Sequence, residues 1–157
     1  MSSMADKLAK LRASKARDLR ILFLASVLLP AIALGLRVFG FRRVQAVLAR
    51  WSPAAAIGAD SETVFVRATE VARLVAAACR YGLYRARCLP ISLTLGWLLQ
   101  REGISTDLRL GVRKADARLE AHAWIEHRGV PLIDTPGVHQ RFAAFGQAVA
   151  PRRSTSR

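Results

Sequence analysis

The hydrophobic pattern of this chain changes period at Gly103, and that change limits the folds open to it. Before Gly103 the apolar residues fall at helical spacing. After it, Leu108, Leu110 and Val112 alternate with Asp107, Arg109 and Gly111, as in a strand with one buried face. A chain that is helical first and stranded afterwards belongs to the α+β class, with helices packed on one small antiparallel sheet.

The helical part divides at its breakers. Asp60 or Ser61 can cap a helix running to about Arg80, with Val64, Val66, Val71, Leu74 and Val75 on its apolar side, and Tyr81-Gly82 ends it. Cys88 opens the next helix, whose body from Ser92 to Gln100 is strongly apolar, and Gly103 closes it in a left-handed conformation. In the stranded part, Ala121, Ala123 and Ile125 form the apolar face of a second strand. His127-Arg128-Gly129 reads as a three-residue turn, and Val130 to Asp134 as a third strand. Trp51 to Asp60 reads as a linker, and the basic end Pro151 to Arg157 as a frayed tail.

With 157 residues, 52% of them hydrophobic, the chain can bury one core with a helical extension, but hardly two independent domains. Its formal charge of +14 points to acidic partners or surfaces. The basic residues are interleaved with Leu, Ala and Val and come with no groove-reading or stacking motif, so nucleic acid is not expected as a partner. Cys79 and Cys88 are the only cysteines, too few for a disulfide framework and not spaced for zinc. A reducing compartment fits them, and no metal or cofactor is expected.

Ile21 to Leu36 is an apolar run flanked by Arg20 and Arg37 and interrupted only by Ser26, Pro30 and Gly35. Three readings compete. As a transmembrane helix its 16 residues would span about 24 Å, short of the hydrocarbon core, and Pro30 would kink it. As a secretory signal it offers the small-x-small site Ala31-Ile32-Ala33 after a basic segment. As a structural helix it would pack on the rest of the domain or on a partner, with Phe39 to Trp51 as a second amphipathic segment. The third reading fits best.

Cys88 is the candidate nucleophile. At the start of a helix the free backbone N–H groups and the positive dipole end favour a thiolate. Pro90 is tolerated in the first turn, and the Cys88 amide is available as an oxyanion donor. Cys79, within an alanine-rich helix, reads as a small packed side chain, and that reading is open for Cys88 too. If Glu126 and Val130 close a three-residue turn, paired residues sum to 256 and His122 lies opposite Asp134, their Cβ atoms about 4.5–5.5 Å apart. This is the base-and-orienter geometry of a triad, against the alternative of a surface ion pair. Glu120 is the reserve orienter, and Glu126 is farther off, about 13 Å along the strand. His127 and His139 read as solvated, and no ligand spacing marks Cys88, His122 and His139 as a metal site.

These residues resemble a known family. The match lies in Arg87-Cys88-Leu89-Pro90, the apolar helix to Gly103-Ile104, Leu108-Arg109-Leu110-Gly111-Val112-Arg113, and His122-Ala123-Trp124-Ile125-Glu126 through Asp134. Together they are similar to the lasso-peptide maturation proteases, stand-alone leader peptidases of the papain-like and transglutaminase-like superfamily. The resemblance covers about Val71 to Asp134 and implies Cys88 as nucleophile, His122 as general base and Asp134 as the group fixing the imidazole. Ile91 departs from the polar residue associated with that position, and no glutamine upstream of Cys88 offers a papain-type oxyanion donor.

The resemblance implies removal of a leader peptide from a ribosomally made precursor, in the cytoplasm. The partners it implies are the precursor leader peptide, a small leader-recognition protein and an ATP-dependent lasso cyclase. The chain is expected to divide into a helical, partner-docking region over 1–52, a peptidase core over 53–150 and a tail over 151–157. Peripheral membrane contact through Ile21 to Leu36 is a further option, and a non-catalytic or membrane-associated interaction protein on the same fold is the alternative function.

Overall fold

The computed structural model describes residues 4–51, 62–82, 84–115, 118–133 and 142–144. The linker reading beyond Trp51, the caps at Asp60 and Ser61, and the tail lie outside them.

Four helices precede the sheet: α1 (Met4–Phe39), α2 (Phe41–Arg50), α3 (Glu62–Tyr81) and α4 (Cys88–Arg101). Helix α1 runs on through Pro30. Its inward stripe, Ile21, Ala25, Leu29 and Ile32, follows the helical period and is buried against α3 and α4. The segment Lys15–Phe39 is also long and apolar enough to cross a membrane by length and composition. In the structure, one side of it is part of the core.

Helix α3 turns a narrower face inward than the valine pattern predicts. Ala68, Val71, Ala72, Val75 and Ala78 are buried, whereas Val66 is half exposed. Small side chains at a helix contact set a short interaxial distance, so the alanine rows, rather than every valine, define the packed side. Helix α4 is buried along most of its length and contributes Leu93, Leu95, Leu98 and Leu99 to the same core. Each such leucine stabilises the fold by roughly 1.5–3 kcal/mol through area removed from water. After α4, Gly103 has φ 77 and the Ile104 and Gly103 amides bond back to the carbonyls of Leu99 and Gln100. This satisfies the helix end by the paired bonds of a Schellman motif.

One ion cluster ties three helices together. The Arg67 guanidinium of α3 donates to Glu102 after α4 at 3.0 Å, to Asp18 of α1 at 2.9 Å and to Glu70 at 3.0 Å. Arg17 of α1 reaches the same Glu102 at 2.8 Å. Burial works against the Arg67 charge, but the hydrogen bonds to Glu102, Asp18 and Glu70 outweigh it and raise its pKa above the ordinary arginine value.

The strands β1 (Asp107–Ala115), β2 (Arg118–His127), β3 (Val130–Pro131) and β4 (Ala143–Ala144) form an antiparallel sheet in the order β3-β2-β1-β4. The α+β class read from the sequence is thus the observed one. The β2–β3 hairpin differs from expectation. His127 pairs with Val130 and Glu126 with Pro131, so the turn has two residues, Arg128 and Gly129, at φ 53 and 78. Two consecutive positive φ values suit the right-handed twist of a two-residue hairpin better than the expected three-residue loop. The third strand is also shorter than Val130 to Asp134: its ladder ends at Pro131, with one further bond from the Leu132 amide to the Ile125 carbonyl.

Replacing Arg67 by Ala leaves Glu102 with one partner fewer in a half-buried setting. A loss of about 2 kcal/mol in urea unfolding is expected, between the values for surface and buried pairs. An unchanged midpoint would show that the cluster is incidental.

Candidate active site

Helix α4 is laid directly on β2. The Ser92 hydroxyl, itself buried, donates to the Ala123 carbonyl at 3.0 Å. One turn on, Gly96 lies so close to the sheet that a Cβ there would meet Ile125 Cδ1 at 3.1 Å. Residues opposite each other on paired strands share a face, so Ala123 and Ile125 of β2 lie with Leu110 and Leu108 of β1 on the helix side. Cys88 is the first residue of α4, with Arg87 as its N-cap in an extended conformation. Its amide is therefore among the first-turn N–H groups that have no carbonyl to meet inside the helix.

The opposite face of the sheet carries Glu120, His122, Trp124 and Glu126 on β2 with Arg113, Gly111 and Arg109 on β1. At its far end, buried Trp124 and Glu126 meet a half-buried Arg109. The Trp124 indole donates to Glu126 Oε1 at 2.6 Å, and Arg109 donates to Oε2 at 3.1 Å. Glu126 is thereby a structural carboxylate. Glu120 forms an exposed pair with Arg113 at 2.6 Å. His127, expected in solvent, is buried instead, with Nδ1 2.8 Å from the Ser105 carbonyl. That oxygen only accepts, so Nδ1 carries the proton.

His122 is held in a stack of rings. Its centroid is 4.9 Å from that of Phe142 and 6.0 Å from that of Trp124, and the Arg113 guanidinium lies 5.0 Å over Phe142. Gly111, opposite His122, leaves the space the stack needs: a Cβ there would come within 3.0 Å of the Trp124 ring and 3.1 Å of Phe142 Cβ.

Cys88 and His122 meet at a cavity of about 220 Å³, which Ile91, Ser92, Leu95, Trp124 and Ile133 also line. Consecutive residues 122 to 125 of β2 all border it. Alternate residues of a strand point to opposite faces, so the cavity wraps the edge of β2 that lies beyond the end of β3. Among the described residues, β3 pairs with β2 only at Glu126 and His127.

Of the three candidate residues, the structure thus brings Cys88 and His122 to one cavity. Asp134 lies outside the described residues, as does His139. The hairpin register that set Asp134 against His122 does not hold, because paired residues sum to 257 rather than 256. Sequence reasoning missed Phe142 as a neighbour of His122. Trp124, at two-residue spacing from His122, was the available signal for a ring on the same face. Both cysteines are free thiols, and Cys79 packs at the edge of the core with Sγ 3.8 Å from the Ala86 carbonyl.

A cysteine at a helix N-terminus and a histidine on an antiparallel sheet that line one cavity are the two groups that a thiol nucleophile and its base require. The family model of the transglutaminase-like superfamily matches residues 26–146, and the chain belongs to that superfamily, which includes cysteine peptidases. No curated protein and no solved structure matches the chain.

Gly111→Ala is expected to push Trp124 and Phe142 apart and to cost about 1–3 kcal/mol by overpacking. Urea unfolding and near-UV circular dichroism read the two effects. An unaltered aromatic spectrum would show that the stack has room to spare.

Proposed function

We propose that this chain is a cysteine peptidase that removes the leader from a lasso-peptide precursor, with Cys88 as nucleophile, His122 as general base and Asp134 as the residue orienting the imidazole. The observation that carries the catalytic part is the shared cavity, in which Cys88 at the start of α4 and His122 on β2 take part in one lining. The leader-peptide part rests on the resemblance of the Arg87-Cys88-Leu89-Pro90 and His122-Ala123-Trp124-Ile125-Glu126 segments to the lasso-peptide maturation proteases.

In this reading the Cys88 sulfur attacks the scissile carbonyl, and the Cys88 amide donates to the oxyanion that forms. His122, having taken the thiol proton, returns it to the leaving amine as the C–N bond breaks. Water activated by His122 then cleaves the thioester and frees the thiol. The amine set free at the core peptide is the nucleophile that a separate ATP-dependent cyclase joins to an acidic side chain. A small leader-recognition protein presents the precursor.

The test mixes the full chain with its precursor and recognition protein and follows the leader by mass spectrometry. Cys88→Ala is expected to abolish cleavage while the circular dichroism spectrum is kept. His122→Ala is expected to lower the rate about 10²–10⁴-fold, and Asp134→Asn by about 10²-fold or more. Undiminished cleavage by Cys88→Ala overturns the catalytic assignment. A folded wild-type chain that binds its partners but leaves the precursor intact supports a non-catalytic interaction protein.

A further inference from the structure

The outer side of α1 is unpartnered and apolar. Leu19, Phe23, Val27, Leu34 and Val38 are each more than 50% exposed, and they fall on one helical stripe opposite the buried Ile21, Ala25, Leu29 and Ile32. The polar side chain on this stripe, Ser26, turns its hydroxyl back to the Leu22 carbonyl at 2.9 Å, so covering it costs little desolvation. Exposed Arg20 and Arg37 close the stripe at its two ends, about 26 Å apart along the helix.

Helix α2 packs beside the end of α1, against its Ile32 side. Between it and the end of α1 runs a groove of about 570 Å³ lined by Ile32, Phe39, Val44 and Val47, with the exposed Arg43 and Arg50 also bordering it. Val47 and Trp51 are exposed beside it. Between Lys15 and Trp51 the chain carries seven Lys or Arg residues and one acid, Asp18, whose carboxylate is engaged by Arg67.

We propose that this face is a docking surface for an anionic lipid bilayer, with α1 lying in the plane of the interface and α2 beside it. The charge pattern selects this occupant. A second copy of the chain would set arginines against arginines across the stripe, whereas anionic headgroups neutralise them while Phe23, Val27 and Leu34 enter the acyl boundary. Spanning is the wrong geometry for α1. Its other side is core, and Arg17 and Asp18 are bound into the cluster with Glu102 and Arg67, so insertion across a bilayer would open the domain. The inference stands independently of the catalytic assignment, since it uses none of the cavity residues.

The full chain is incubated with phosphatidylcholine vesicles, either pure or containing about 30 mol % phosphatidylglycerol, and the bound fraction is read by flotation. Association with the anionic vesicles at least about tenfold stronger than with the neutral ones is expected, falling as salt is raised. The double variant Phe23→Gln/Leu34→Gln is expected to lose binding at an unchanged melting temperature, because both side chains face solvent. Arg42→Gln/Arg43→Gln is expected to weaken the preference for anionic vesicles. No vesicle binding, equal binding to both vesicles, or full binding by Phe23→Gln/Leu34→Gln overturns the proposal. A dimer in light scattering that this variant dissociates assigns the face to a second copy, and resistance to alkaline carbonate extraction shows a spanning helix; either result also overturns it.

Discussion

The contact between α4 and β2 sets the geometry on which everything at the cavity depends. Ser92 bonds the Ala123 carbonyl and Gly96 lets the helix come down on Ile125, so the rise of the helix and the register of the strand are locked to each other. Because Cys88 stands one turn before Ser92 and His122 one residue before Ala123, the same contact sets where both candidate side chains begin. A shift of one residue in β2 would turn His122 to the helix side and Ala123 to the ring stack.

The rest of the fold acts through α4. Helices α1 and α3 bury their stripes against it, and the Arg67 cluster ties both to Glu102 just beyond its end. On the far side of the sheet, the buried Glu126 with Trp124 and Arg109 stiffens β2, while Phe142 and Trp124 flank the His122 ring. The N-terminal helices therefore have two sides with different roles. One side completes the core that supports the cavity, and the other is an apolar surface bordered by arginines.

Much of this was legible in the sequence where the signal is local. Pro90 and Gly103 bracket α4, and the alternation from Leu108 and from Ala121 marks β1 and β2, so the class of fold and the place of Cys88 at a helix start could be read directly. What could not be read depends on contacts distant in sequence. His127 is buried because the Ser105 carbonyl, 22 residues earlier, accepts a hydrogen bond from its Nδ1–H. The turn is one residue shorter than expected because His127 joins the ladder, and from sequence alone the two turn lengths share the same Arg128-Gly129. The placement of Phe142 on His122 and the pairing of β4 with β1 are non-local in the same way. With the two-residue turn His122 no longer faces Asp134, whereas His122 and Cys88 line one cavity.

The most direct test of that pairing is the rate at which iodoacetamide alkylates each cysteine at neutral pH, resolved by peptide mass spectrometry in the wild-type chain and in His122→Ala. If the imidazole activates the thiol at the start of α4, Cys88 is alkylated selectively over Cys79, and the selectivity disappears in His122→Ala. Equal, slow alkylation of both cysteines, or selectivity that survives the loss of His122, would contradict it.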